Sequence, residues 1–172
     1  MKCKIQMFAF LSILSSIFFI SCKKESGKYS TVNVRLTDAP ADYEEVNIDL
    51  ESITVKLSDD SSSWVELDAV PGIYNLLGLQ NGVDTLIGTE SLPQGTLKEI
   101  RLVLGSDNTI KVNGTVFPLV IPSGSESGLK IKVNKKLEAS IETLIIDFDA
   151  ALSIHEEGTG DYKLRPVLKI TQ

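Results

Sequence analysis

Asp147 and Asp149 stand one residue apart, Tyr43, Trp64 and Tyr162 border turn-like stretches, and His155 is the only histidine of the chain. Residues i and i+2 of a strand point to the same side, so the two aspartates present paired carboxylates. Such a pair is able to hold Ca²⁺ when a nearby loop adds backbone oxygens. The alternative is structural: ion pairing with Arg101, Lys130 or Arg165, or capping of adjacent loop amides. No third acidic ligand sits at a fixed spacing, which favours the structural reading. Asp38, before Ala39-Pro40, reads as a turn former whose carboxylate accepts backbone N–H bonds. Tyr43, Trp64 and Tyr162 are loop aromatics of a kind that stacks on sugar rings, with core packing at a strand start as the alternative for Trp64.

Nucleophilic or acid–base catalysis finds no constellation. His155 lies beside Glu156 and Glu157 in a Gly-rich loop, where an exposed histidine is simply solvated. Gly124-Ser-Glu-Ser-Gly128 has glutamate where a nucleophile elbow needs serine. No phosphate loop, dinucleotide fingerprint or zinc spacing is present, so the expectation is a non-enzyme without a cofactor, calcium being the one ion considered.

Cys22 carries different chemistry. Lys2 and Lys4 precede an apolar run from Met7 to Ile20, broken only by Ser12, Ser15 and Ser16, and Phe19-Ile20-Ser21-Cys22 follows. A basic start, a short apolar stretch and a small residue at the cut make a secretory signal peptide. The run is shorter than the roughly 20 residues of a membrane span. Its ending resembles a bacterial lipobox, in which the cysteine thiol receives a diacylglycerol and the freed amino group a fatty acid such as palmitate. The alternatives are an ordinary signal peptide cut near a cysteine, or an uncleaved anchor. The polar stretch Lys23-Lys24-Glu25-Ser26-Gly27-Lys28 reads as a tether and favours lipidation. The expected organisation is a lipoprotein leader over 1–21, an acylated Cys22 and tether over 22–29, and one domain over 30–172.

Two or more acyl chains hold a protein stably at a membrane, where one is marginal. Cys3 leaves with the leader, so the exported domain has neither a disulfide nor a catalytic thiol. Loss of Lys2 and Lys4 leaves 15 of the 17 basic residues against 23 acidic ones, a formal charge of −8. Nucleic acid is thereby disfavoured as a partner, since phosphate binding needs clustered Lys and Arg.

The elements that must position these residues read as strands. Val32, Val34 and Leu36 alternate with polar neighbours, and so do Val46, Ile48 and Leu50. Ile53, Val55 and Leu57 continue on the opposite parity, which predicts a β-bulge near Glu51-Ser52. Ile73–Leu79 reads as strand and loop rather than a helical turn, and Asn81-Gly82, Gly88 and Pro93-Gln94-Gly95 punctuate the stretch after it. Asn113-Gly114 between strand-like flanks predicts a type I′ hairpin. Leu129, Ile131 and Val133 alternate with lysines, Leu144, Ile146 and Phe148 form another strand, and Leu164–Ile170 closes the domain with Pro166 near an edge or a strand entrance. Eight or so short strands make an all-β, mostly antiparallel two-sheet β-sandwich, preceded by the signal-peptide helix.

Leu36-Thr-Asp-Ala-Pro40, Leu92-Pro-Gln-Gly95, Ile100-Arg-Leu102, Pro122-Ser-Gly124 with Ser127-Gly-Leu-Lys130, Asp147-Phe-Asp149 and Tyr162-Lys-Leu-Arg-Pro166 occur in that order. The ordered set resembles domain of unknown function 4382, a family frequent in lipoproteins of Bacteroidota-type bacteria, from about residue 30 onward. The resemblance implies a transthyretin-like or carbohydrate-binding-like β-sandwich and supplies no activity. The expectation is therefore a lipid-anchored binding or interaction module of the cell envelope, at the outer membrane, with a glycan or an envelope protein as partner. The alternative is a structural or accessory subunit of a pilus-like or envelope assembly, whose sheet edges accept a partner strand.

Overall fold

The computed structural model describes residues 28–58, 64–122, 128–158 and 160–171. The leader, Cys22, the tether through Gly27 and the Gly124-Ser-Glu-Ser127 part of the elbow-like motif lie outside the described residues. The strands in chain order are β1 (Tyr29–Asp38), β2 (Glu45–Lys56), β3 (Trp64–Glu66), β4 (Asp68–Ala69), β5 (Gly72–Asn75), β6 (Thr85–Pro93) and β7 (Gly95–Leu104). They continue as β8 (Thr109–Val112), β9 (Thr115–Val120), β10 (Leu129–Leu137), β11 (Ile141–Phe148), β12 (Ile154–Glu157), β13 (Asp161–Leu164) and β14 (Leu168–Thr171). A 3₁₀ turn at Leu76–Leu79 and a one-turn helix, α1 (Ala150–Ser153), complete the set.

These strands form two mixed sheets packed against each other, a β-sandwich. The first runs β14-β11-β1-β6-β4. The second runs β10-β7-β2-β8-β9-β13-β12, with β3 and β5 on the other edge of β2. Two pairs are parallel, β1 with β11 and β9 with β13, and the rest are antiparallel. The strand count exceeds the expected eight because β3, β4, β5, β12 and β13 are two to four residues long, too short for alternation to reveal.

The period-2 pattern is what builds the core. Val32, Val34 and Leu36 of β1 and Leu144, Ile146 and Phe148 of β11 are fully buried. They belong to one apolar cluster with Ile53, Val55, Ile100 and Leu102 of the second sheet. Each such side chain contributes about 1.5–3 kcal/mol relative to leaving it in water. The parity switch in β2 is a bulge: its register against β7 slips between Leu50 and Ser52, at Glu51. That slip keeps Ile48, Leu50, Ile53 and Val55 all inside.

Three local expectations change. Gly88 is not a punctuation point but an interior residue of β6, where a Cβ would stand 3.0 Å from Ile53 Cδ1 of the facing sheet. Its missing side chain makes room for close sheet contact. Ile73–Leu79 divides into the end of β5 and the 3₁₀ turn, with the Asn75 side chain accepting from the Leu77 N–H at 3.1 Å. Leu164–Ile170 is not one strand: β13 ends at Leu164 in the second sheet and β14 starts at Leu168 in the first. Pro166 lies between them, and without an N–H it cannot continue a ladder.

Candidate functional site

Asp149 lies just beyond β11 and is the N-cap of α1, its Oδ1 accepting from the Leu152 N–H at 3.0 Å. Asp147 is on β11, 8 % exposed, between Thr37 of β1 and Lys169 of β14 in register. Its Oδ2 pairs with Lys169 Nζ at 2.9 Å, while its Oδ1 is buried without a hydrogen-bond partner. The Asp147 hydrogen bond and charge raise the Lys169 pKa above the usual lysine value. The cation is thus Lys169, and not Arg101, Lys130 or Arg165, because β14 rather than β7 or β10 is the neighbour of β11 and Arg165 pairs with Glu157. Among the described residues no three His, Cys, Asp or Glu side chains are grouped so as to hold a metal ion.

A third carboxylate was legible in the sequence only as a turn former. Asp38 ends β1 opposite Phe148 and is 4 % exposed. Its Oδ1 accepts from the Ala150 N–H at 2.9 Å and its Oδ2 from Gln80 Nε2 at 3.2 Å. It therefore ties β1 to a helix 112 positions away rather than closing a local turn. Burial pushes its pKa up to about 6, against the two hydrogen bonds, and the charges of Asp147 and Asp149 push the same way.

The three candidate aromatics do not form one site. Tyr43 lies in the β1–β2 loop, partly buried against the core, and Tyr162 is on β13 rather than in a loop. Tyr162 is 8 % exposed, and its ring centroid stands 5.1 Å from that of Phe117. Burial, with Tyr162 and Glu156 nearby, raises the Tyr43 pKa. Trp64 pairs with Lys56 at the far end of β2, roughly 30 Å or more from Tyr43 at about 3.4 Å per strand residue. It is half-buried but outside the core cluster, with the Arg101 guanidinium 4.1 Å above its ring. That cation–π contact covers one ring face, so the expected alternative of core packing does not describe it. His155 sits on β12, an exposed strand position rather than a loop.

The feature that periodicity did not reveal is an open flank. Among the described residues the first sheet ends at β14 and the second at β10, and these two edge strands approach each other without pairing. Between them lies a groove of about 510 Å³ that includes Lys130, Lys132, Lys135 and Lys169 with apolar Ile131 and Leu168. Asn134 adopts a left-handed φ of 53°, and the β10–β7 register slips between Lys132 and Lys135. The slip sets Lys135 opposite buried Leu97, on the inward side, where its Nζ reaches Glu142 of β11 at 3.5 Å. This pair joins the two sheets across the opening. The Glu142 carboxyl is held below its usual value mainly by the Ala139 N–H, with the Glu138 N–H and Lys135 adding to it. Lys130 and Lys132 are exposed and make no ion pair among the described residues.

The family described as Domain of unknown function (DUF4382) matches residues 29–166, from the first residue of β1 to Pro166. No curated protein matches the chain, and no solved structure does.

Proposed function

The chain belongs to the family Domain of unknown function (DUF4382), and from that premise we propose that it is a lipid-anchored interaction module of a bacterial cell envelope. In this reading it does no catalysis, and its fold serves to present a surface. The observation that carries the reading is the chain order: a lipobox-like ending at Cys22, a short polar stretch, then β1 beginning at Tyr29. Seven residues from Cys22 to Lys28 span at most about 25 Å when extended, so the sandwich stays close to the lipid surface. Among the described residues no helix is long and apolar enough to cross a membrane, and the acyl chains on Cys22 supply the attachment to the outer membrane.

Metabolic labelling with a fatty acid tests the anchor. The wild type incorporates label, while Cys22→Ser accumulates as precursor or is released in soluble form without label. Equal labelling of the two proteins contradicts the proposal. A second reading, a subunit of a surface assembly, draws support from the edges of β10 and β14, which no described strand pairs. It requires the purified protein to oligomerise by strand exchange, whereas the interaction module stays monodisperse.

A further inference from the structure

We propose that the open flank at β10 is an acceptor for an extended acidic peptide segment, which adds as a strand to the β10 edge and places its carboxylates on Lys130 and Lys132. This deepens the interaction-module reading and rests on it, naming the class of partner. An unpaired edge offers a row of N–H and C=O groups whose hydrogen bonds supply affinity without regard to sequence. Alternate side chains of an added strand point to opposite faces. One set meets the groove with Ile131 and Leu168, and the other meets the exposed lysines.

Charge selects the partner. The whole chain carries a formal charge of −6, yet this groove collects four lysines. Lys169 and Lys135 are already neutralised by Asp147 and Glu142, which leaves Lys130 and Lys132 for an incoming anion. Glu99 stands opposite Lys132 in register and makes no ion pair with it. Edge lysines commonly serve to prevent edge-to-edge aggregation. Here they disfavour a second copy, which would bring lysines against lysines, and favour an acidic strand. The bulge at Asn134 limits regular pairing to Leu129–Val133, so a short segment suffices.

The test uses the full chain in detergent and a fluorescent, alternating Val-Glu peptide, read by anisotropy and by amide hydrogen exchange. Binding is expected, with new protection confined to the amides of residues 129–133. A Val-Glu peptide N-methylated on alternate amides keeps its charge and is expected not to bind. The double variant Lys130→Glu/Lys132→Glu, at exposed positions that leave the fold intact, is expected to bind at least about tenfold more weakly and to accept a Val-Lys peptide instead. No binding of the Val-Glu peptide overturns the proposal, as does equal binding of the N-methylated form or no effect of the double variant. Dextran sulfate that competes equally, with no added amide protection, overturns it in favour of a polyanion surface. Each of these failures leaves the fatty-acid labelling result at Cys22 untouched, so the two ideas fail separately.

Discussion

Asp38 shows how one buried carboxyl couples the fold to pH. Its folded pKa of about 6 lies above the ordinary value of 3.8 because burial disfavours the charge. Between those values the folded chain holds a proton that the unfolded chain has released. The stability it contributes is fully present below the unfolded value and is lost as pH rises through about 6. The difference is on the order of 3 kcal/mol between acidic and neutral pH, since each pKa unit is worth about 1.4 kcal/mol. Asp38→Asn keeps an oxygen for the Ala150 N–H and removes the buried charge. The variant is expected to gain stability over the wild type at neutral pH and to converge with it near pH 4. Urea unfolding across that range checks it, and parallel pH profiles contradict it. The neighbouring aspartates do structural work of another kind. Asp149→Ala loses an N-cap and is expected to cost about 0.5–2 kcal/mol. Calcium is expected to leave the wild-type melting temperature unchanged, since Asp147 is engaged by Lys169. A calcium-dependent rise in melting temperature that Asp147→Ala abolishes would reverse that assignment.

At the scale of elements, the hairpin β8–β9 is the clearest agreement of sequence and structure. Asn113 and Gly114 adopt φ values of 49° and 77°, and Val112 pairs with Thr115 across a two-residue turn. The Gly114 N–H also donates to Glu44 at 2.9 Å. Gly114→Ala places a Cβ on a left-handed residue and is expected to cost about 1 kcal/mol, measured as a shift in the urea midpoint without a change in slope. The Glu51 bulge was equally legible, because a parity change within one run has few other causes. The elements that escaped are those decided by distant partners. Alternation says that β1 and β11 each have a buried face but not that they lie parallel. It marks Leu129–Val133 as half-wet without showing that β10 ends its sheet beside β14. Gly88 looks like a turn residue because its reason for being glycine, Ile53 in the other sheet, is 35 positions away. The aspartates and Tyr162 were found by type, but their partners Lys169 and Phe117 belong to strands that only the tertiary fold brings close.

For the whole molecule, the question is what holds a sandwich together when one flank is open and no covalent staple crosses it. The sequence has two cysteines, Cys3 and Cys22, both before the first strand. Cross-sheet cohesion therefore falls to the apolar cluster and to polar ties such as Lys135–Glu142. A domain of about 150 residues buries roughly 68–70 % of its unfolded-chain surface, enough for stability without disulfides. The core that would supply it holds aliphatic side chains of both sheets at zero exposure, from Val32 in β1 to Leu164 in β13. Residues 28–172 expressed alone are accordingly expected to unfold cooperatively and to melt at the same temperature with and without reductant. Scanning calorimetry in both conditions decides it. A full chain that melts higher than residues 28–172, and only in the absence of reductant, would show that Cys22 or Cys3 contributes a bridge. The mass of the full chain under non-reducing conditions shows whether such a bridge joins two chains, which a sandwich standing on its core alone does not need.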